Sequence, residues 1–467
     1  MRDSVEAAIA CNRFGFGARP GDLADVGHDP RAWLAAQLHA DPPPGAPGLR
    51  GSADILAEVI ELRREQRAGR AAAANADDAA AVQVALRLGQ LYRPLYIAEA
   101  TARLAIAVDS DRPFLERLTH FWSNHFAVSV DKLVVLGLAG PFEREAIRPH
   151  VLGSFTDLLL AVEQHPAMLL YLDNHLSVGP NSPLGARVAR RRRDVRIGIN
   201  ENLAREILEL HTLGVDGGYT QADVTSFAYV ISGWSIGGDN GRLRGGVPGR
   251  FLFRAELHEP GAKSVLGRRY SQEGFGEGAA VLRDLARQPA TARHIAGKLA
   301  RHFIADDPAP ATLERLARVF LDSDGDLPTL YRALIDSPEP WAQPLAKYKA
   351  PSEYLISAYR GLQVPVIAGK GALASLEVLG QRTYQPGSPA GWPDRSADWN
   401  GASALLKRVE WADALGQRLG DRHSAAELAP QLLGATLSGA TRTAIAHAAS
   451  AQQALTLLVA APEFLRR

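Results

Sequence analysis

The chain has 467 residues, enough for one large domain or for two fused lobes. Its 52 basic and 51 acidic residues leave a formal net charge of +1, which excludes an overall field that would recruit nucleic acid or an acidic membrane. The single cysteine, Cys11, excludes an internal disulfide, a thiolate zinc cage and an iron–sulfur site, so any metal would need His, Asp and Glu.

The N-terminal half is predicted to be helical. Its first residues, MRDSVEAAIACNRFGFG, lack the charged head and continuous apolar core of a secretory signal, so they are predicted to form the first helix of a soluble cytoplasmic protein. No run approaches the roughly 18 apolar residues of a membrane span. Residues 53–107 have the Ala, Leu, Arg and Glu composition of long helices. Further helices are predicted at residues 111–126, 144–163, 200–213 and 223–233, the last with Thr220 and Asp223 close to a capping box.

The pattern changes between residues 233 and 270. Glycine clusters around FLFRAELH and KSVLGRRY indicate a small β-hairpin or ribbon. Helices then resume at residues 277–287, 290–304, 311–322, 327–336 and 352–362, and a Pro, Gly and Trp-rich loop follows at residues 385–400. The prediction is a mainly α, large multi-helical fold with a β insert. It comprises an N-terminal helical lobe (residues 1–232), the ribbon (233–270) and a C-terminal helical lobe (271–467), with the lobes fused into one unit.

Carboxylates interrupt the apolar face of the helix predicted at residues 200–213, NENLAREILELHTL. At about 100° per residue, three aliphatic side chains form one stripe: Leu203, Ile207 and Leu210. Glu206 falls inside this stripe, and Asn202 and Glu209 line its flank. An ionised carboxylate buried without a partner costs several kcal/mol. Glu206 is therefore predicted to face an Arg, a His, a metal or a shared proton, as part of a functional site or of a structural ion pair.

A histidine lies on the apolar face of the helix predicted around RLTHFWSNHFAVS. A lone buried histidine is usually bonded to a backbone carbonyl, but Glu206 offers His125 a carboxylate partner. We predict that His125 and Glu206 lie on adjacent helices and point into one shared interior. A metal site built from His125, Glu206 and Glu209 with Asp173 or His258 remains an alternative.

The acidic run LDSDGDLPTL resembles a calcium loop but lacks its key positions. Counted from Asp322, the sixth residue is Leu327 instead of Gly, and the twelfth, Ala333, offers no carboxylate. The run is predicted to cap the helix that starts at Leu327.

Polar and aromatic residues outside these helices are candidates for a pocket wall. His258, Glu259 and Lys263 follow each other closely in the ribbon, as they would in a pocket wall or in an ordinary surface turn. Trp234 and Trp392 lie in glycine- or proline-rich loops, which is typical of carbohydrate-stacking walls and also of loops pinned to a core.

Eight segments in order resemble the uncharacterised bacterial family DUF1800, a domain of unknown function. They span nearly the whole chain: NRFGFGARPGDL, RLTHFWSNHF, YLDN, NENLAREILELHTLGVDGGYT with the following SGW, HEPGAKSVLG, KYKAPSEYL, AGWP and WNGASALL. The resemblance implies no reaction. Genes of this family commonly adjoin those of a second family similar to sulfatases and alkaline phosphatases, so it implies a sulfatase-like partner. The chain departs from the family pattern at His258-Glu259, where His-Asp is expected.

The leading functional interpretation is a hydrolase whose buried His/Glu acid–base pocket acts on a glycoside, sulfate or phosphate ester. The predicted catalytic residues are His125, Glu206 and Glu209. The predicted substrate-binding residues are Asn202, Arg205, His258, Lys263, Trp234 and Trp392. Two alternatives stay open: a non-catalytic accessory or binding partner of the sulfatase-like protein, and a metal-dependent enzyme. A partner of this kind, bound through the basic patch at residues 187–193 or through the exposed Ala-rich helical arm that contains AAAANADDAAA, would allow carried export in place of a cytoplasmic location.

Overall fold

Helices dominate the structure, a computed structural model that describes residues 2–39, 46–72, 77–191, 198–238, 244–367, 369 and 371–467. The fold is mainly α with a small β insert, as the sequence predicts. None of the helices in the described ranges combines the length and the apolar composition that crossing a bilayer requires.

The helices of the first half are mostly short and separated by tight turns. They are α1 (Arg2–Ile9), α2 (Asp22–Val26), α3 (Pro30–Ala36), α4 (Ser52–Ala72), α5 (Asp77–Asp109), α6 (Pro113–His125), α7 (Leu133–Leu136), α8 (Ala139–Phe142), α9 (Phe155–Glu163), α10 (Pro166–Tyr171), α11 (Pro183–Arg191), α12 (Asn202–Glu206) and α13 (Gln221–Val230). Turns of π-helix occupy Ala10–Phe14, Glu143–Ile147 and Ile207–Thr212, and 3-10 turns occupy Arg148–His150 and Asn174–Leu176.

The β insert consists of two separate antiparallel hairpins. Their strands are β1 (Trp234–Ile236), β2 (Phe251–Phe253), β3 (Lys263–Val265) and β4 (Arg268–Tyr270). Trp234 pairs with Phe253 in the first hairpin. In the second, Leu266 and Gly267 form the two-residue turn, with φ of 51° and 75°. Two positive φ values are those of a type I′ turn, whose twist matches that of the strands.

The second half is again helical. Its helices are α14 (Phe275–Ala286), α15 (Pro289–Phe303), α16 (Pro310–Asp322), α17 (Leu327–Asp336), α18 (Glu339–Ala342), α19 (Pro351–Gly361), α20 (Gly371–Leu379), α21 (Ala402–Leu419), α22 (Ala425–Leu433), α23 (Gly439–Ala446) and α24 (Ala451–Val459), with 3-10 turns at Ser396–Asp398, Gly420–Arg422 and Gly434–Thr436. One core cluster contains residues from Ala7 to Trp341, and a second contains residues from Tyr348 to Leu465. The three-part division predicted from the sequence stays a prediction.

Helices α6 and α15 pack side by side in opposite directions. Near the start of α6, Phe114 lies 5.7 Å from Phe303 at the end of α15, measured between ring centroids. At the end of α6, the ring centroid of His125 lies 6.0 Å from that of His294, in the first half of α15. This antiparallel arrangement brings two polar helix faces together.

Both helix caps predicted from the sequence are confirmed. Thr220 and Asp223 form a reciprocal capping box at α13. Asp326 caps α17, where its carboxylate accepts a hydrogen bond of 2.8 Å from the backbone N–H of Thr329.

We expect Asp326→Ala to lower the free energy of unfolding by about 1 kcal/mol, because it removes the acceptor for an N–H that no helical carbonyl reaches. Thermal unfolding of the variant beside Asp326→Asn measures this, since Asn retains a capping oxygen. Equal losses from both substitutions would contradict the capping role.

Candidate functional site

The π-helical turn Ile207–Thr212 changes which residues of the NENLAREILELHTL segment face the core. A π-helix inserts one extra residue into a turn and so rotates the following side chains relative to an α-helix. His211 and Thr212 are fully buried, whereas Leu210 and Glu206 are partly exposed. The predicted apolar stripe is therefore wrong at Leu210, and the prediction that Glu206 is buried is wrong.

The histidine–carboxylate pair is formed by residues other than those predicted. His211 Nδ1 lies 2.7 Å from Glu163 Oε1, and both side chains are fully buried. His125 Nε2 instead lies 3.2 Å from the backbone oxygen of His211. Glu206 makes no side-chain hydrogen bond or ion pair with any described residue, and burial raises its pKa. The predicted pairing of His125 with Glu206 is wrong.

The other polar residues predicted on this segment lie near the protein surface. Glu209 accepts a hydrogen bond of 3.1 Å from the Tyr219 hydroxyl. Arg205 forms an ion pair of 3.1 Å with Glu201, one helical turn earlier. Asn202 is exposed. The structure does not bring these side chains together with His125.

His258 and Lys263 form a buried network with a residue that the sequence did not indicate. Lys263 Nζ lies 3.1 Å from both His258 Nε2 and Glu277 Oε2, and it donates to the backbone oxygen of Glu259 at 2.6 Å. His258 Nδ1 lies 2.8 Å from the Ser232 carbonyl oxygen. The network stabilises the junction between the β insert and α14 and does not line the cavity described below.

The other residues predicted for the site have structural contacts of their own. Trp234 is fully buried and packs against Phe251, at 5.5 Å between ring centroids, so it belongs to the core. Asp173 forms an ion pair of 2.6 Å with Lys132. Within the described ranges, no group of three or more His, Cys, Asp or Glu residues is placed to hold a metal ion. Of the basic patch at 187–193, residues 192 and 193 lie outside the described residues.

A cavity of about 340 Å³ lies between α6, α15 and the loop that follows α20. Helix α6 lines it with one face: Arg117, His120, Phe121, Asn124 and His125. Helix α15 contributes Lys298, Arg301 and His302. The loop contributes Thr383, Tyr384, Trp392 and Asp394. Of the residues predicted as catalytic or substrate-binding, the cavity contains His125 and Trp392.

The loop is held over the cavity by α6. The Asn124 side chain donates to the Trp392 carbonyl oxygen at 2.9 Å and accepts from the Trp392 N–H at 2.7 Å. Gly391 has a φ of 83°, and a Cβ at this position would lie 2.3 Å from the Asn124 carbonyl oxygen. Only glycine fits here, so the AGWP sequence is required for this close approach.

One end of the cavity is lined by ion pairs that compensate each other. Buried Arg117 pairs with Glu353, whose other oxygen accepts from Arg467 Nε at 2.9 Å. The two guanidinium groups hold the pKa of Glu353 well below its usual range, against the effect of burial. His302 Nδ1 lies 3.1 Å from Asp394, and His302 lowers the pKa of that carboxyl to about 2, again against burial.

Two cations of α15 that line the cavity have no ion-pair partner in the described part of the chain. Lys298 and Arg301 form no ion pair or hydrogen bond with any residue that the structure describes, and Arg301 Nε is buried. Burial lowers the pKa of Lys298 to about 8, although Asp394 partly opposes the shift.

His125 presents an unpartnered lone pair close to Lys298, whose charge acts on it. A carbonyl oxygen only accepts, so the contact with His211 O places the proton on His125 Nε2 and the lone pair on Nδ1. Nδ1 is buried and finds no donor among the described residues. Burial, followed by the charge of Lys298, lowers the pKa of His125 well below its usual value, so the imidazole is neutral at neutral pH.

The sequence contains a signal for α15 that our prediction did not use. Lys298, Arg301 and His302 are spaced three and four residues apart in a helix whose other face is apolar, with Leu299, Ala300 and Phe303 in the core. That spacing places the three cationic or titratable side chains on one face. The compensating residues Glu353 and Asp394 are far away in the sequence, so spacing alone does not indicate which charges are paired.

The chain is similar to one known protein family. Comparison with curated proteins and with solved structures finds no match. The model of one family, described as protein of unknown function (DUF1800), matches residues 9–466, which include all the cavity residues named above. The chain belongs to the DUF1800 family.

Proposed function

We propose that the cavity binds the anionic group of a phosphate or sulfate ester and that the protein hydrolyses the ester. The observation that carries this proposal is that Lys298 and Arg301, cations without ion-pair partners in the described structure, line the same cavity as His125, whose buried Nδ1 has no partner among the described residues. Uncompensated cations in a partly buried site are stabilised by an anionic ligand, since burial of unpaired charge is costly. Arginine matches the oxygens of phosphate and sulfate particularly well.

His125 is the candidate general base, because its imidazole carries the proton on Nε2 and an unpartnered lone pair on Nδ1. A water molecule that donates to Nδ1 would lose its proton to His125 as its oxygen attacks the phosphorus or sulfur atom. The ester P–O or S–O bond then breaks, and the proton passes from His125 to the departing alcohol. Lys298 and Arg301 would stabilise the negative charge on the ester oxygens during this step.

Glycoside hydrolysis, the third predicted chemistry, has less support. It normally requires two carboxyl groups, one of which is protonated at the start of the reaction. Glu353 and Asp394 line the cavity, but their cationic neighbours lower both pKa values, so both are ionised at neutral pH. Glu206 and Glu209 do not line the cavity.

We expect His125→Asn to reduce turnover of a phosphate or sulfate monoester by about 10²- to 10⁴-fold, the usual contribution of a general base. Binding should change by less than about threefold, because Lys298 and Arg301 remain. Hydrolysis of p-nitrophenyl phosphate and p-nitrophenyl sulfate measures turnover, and calorimetric titration with the alkyl esters measures binding. His28→Gln, at an exposed position, is the matched control.

The outcomes of this experiment separate the open alternatives. Binding without turnover by the wild-type protein would exclude the hydrolase and favour the accessory role beside a sulfatase-like partner. Turnover that persists in His125→Asn would exclude His125 as the base. Turnover that requires an added divalent cation would favour the metal-dependent enzyme.

A further inference from the structure

The cavity has two ends that differ in chemistry. Arg117 and His125 lie eight residues apart on α6, which corresponds to about 12 Å along the helix axis. Because α15 runs antiparallel, the Arg117 end faces His302, with 3.2 Å between Arg117 Nη1 and His302 Nε2. The His125 end faces Lys298, whose charge acts on His125. A ligand that fills the cavity therefore contacts two different environments.

The charges at the Arg117 end are already compensated. Besides the pairs formed by Glu353 and Asp394, Arg103 Nε lies 2.7 Å from Glu143. Lys347 near Asp394 is itself paired with Asp306 at 2.6 Å. A second anionic group at this end would have to compete with carboxylates that already hold these cations. The end therefore suits an uncharged part of the ligand.

The same end carries polar atoms that still lack partners. Arg117 Nη2, His120 Nε2 and Thr383 Oγ1 are all buried and line the cavity, and none has a hydrogen-bond partner in the described part of the chain. Burial, followed by Arg103, lowers the pKa of His120 well below its usual value, so its ring is neutral. Thr383 precedes Tyr384, whose ring lies 5.2 Å from the Arg103 guanidinium. A buried polar group without a partner is costly, and hydroxyl groups satisfy both donors and acceptors.

Aromatic side chains form part of the cavity lining. Phe16, Phe121 and Trp392 line the cavity walls. The Arg117 guanidinium lies 4.8 Å from the centroid of the Phe16 ring, which fixes its plane against the wall. Aromatic faces pack well against the C–H surface of a polyhydroxylated carbon skeleton while its hydroxyl groups point to polar atoms.

We propose that the ligand is a phosphate or sulfate monoester of a sugar or polyol, with the anion at Lys298 and Arg301 and hydroxyl groups at His120, Thr383 and Arg117. This inference rests on the proposed function and adds the class of the alcohol part. Phosphate and sulfate esters share the recognition chemistry, so the experiment includes both.

The test compares esters that differ only in their hydroxyl groups. Calorimetric titration of the full-length protein with glucose 6-phosphate and hexyl phosphate, and with the corresponding sulfates, gives four dissociation constants. We expect the glucose ester to bind at least about tenfold more tightly than its hexyl counterpart. His120→Phe and Thr383→Val should each reduce this preference by about three- to tenfold and change hexyl ester binding by less than about twofold. Neither His120 Nε2 nor Thr383 Oγ1 has a hydrogen-bond partner among the described residues, and phenylalanine retains a ring that can pack against Phe16, so both variants are expected to fold.

Each outcome gives a distinct answer. If the hexyl ester binds as tightly as the glucose ester, the inference about the alcohol part is wrong while the anion site stands. If both variants weaken both esters equally, His120 and Thr383 do not contact hydroxyl groups, and the inference is also wrong. If neither ester binds to the wild-type protein, the proposed function itself fails.

Discussion

Replacing Lys298 with methionine is expected to weaken binding of phosphate and sulfate monoesters by about 10- to 150-fold, which corresponds to the loss of one hydrogen bond to a charged group. Methionine retains the aliphatic length of lysine and removes the ammonium group. Without ligand, the variant should melt about 1–3 °C higher than the wild type, because it removes a partly buried cation that has no ion-pair partner among the described residues. Calorimetric titration and thermal unfolding measure the two effects.

Arg293→Gln is the matched control, since Arg293 lies on the outer face of α15 and forms an exposed ion pair with Glu314. It should leave ester binding unchanged. Weakened binding together with a lower melting temperature in Lys298→Met would indicate a structural role and contradict the anion site.

The stability difference between Lys298→Met and the wild type should depend on pH, because the pKa of Lys298 is lowered to about 8 in the folded protein from an ordinary value of 10.5. Below pH 8 the ammonium is protonated in both folded and unfolded states, and the full cost of burying it is present. Between about pH 8 and 10.5 only the unfolded state holds the proton, so the wild type gains stability as the pH rises. The stability advantage of Lys298→Met should therefore shrink over this range. Ester binding by the wild type should weaken over the same range, because the cation is lost.

Glu163→Ala is expected to cost about 3–5 kcal/mol of stability, the usual effect of removing one partner from a buried pair. His211 would remain fully buried without its carboxylate. Glu206→Ala, at the residue immediately before the π-helical turn, should cost less than about 1 kcal/mol, since Glu206 is partly exposed and has no ion pair within the described structure. Thermal unfolding of the two variants side by side gives the comparison.

Glu163→Gln provides an intermediate case, because its amide oxygen still accepts from His211. Its loss of stability should lie between those of the other two variants. Equal losses for Glu163→Ala and Glu206→Ala would mean that the buried pair of Glu163 and His211 does not stabilise the fold. They would instead support the prediction from ideal helical spacing that Glu206 faces the core.

The sequence was sufficient for the fold class, the caps at Thr220 and Asp326, and the position of the β insert. These features depend on local signals: apolar periodicity, a polar residue three positions before a partner, and glycine clusters around short alternating runs. The sequence did not correctly predict which side chains of the helix at residues 200–213 face the core. Ideal spacing assumes a uniform α-helix, whereas the π-helical turn Ile207–Thr212 turns His211 into the core and leaves Leu210 partly exposed.

The cavity could be predicted only in part, for a different physical reason. His125 and Trp392 were identified because each stands in an unusual sequence context. Lys298 and Arg301 were missed because a lysine and an arginine on a helix are ordinary surface residues unless their neighbours are known. What distinguishes them is the lack of a carboxylate partner in the described structure, and that depends on contacts between distant parts of the chain.

The central claim is that Lys298 and Arg301 bind a tetrahedral anion in this cavity. Crystals of the protein soaked in tungstate, which resembles sulfate and phosphate and scatters anomalously, test it directly. We predict an anomalous peak for a tungstate whose oxygens accept hydrogen bonds from Lys298 Nζ and the Arg301 guanidinium, and no such peak in Lys298→Met crystals treated in the same way. A cavity without a peak, or a peak of equal height in Lys298→Met, would contradict it.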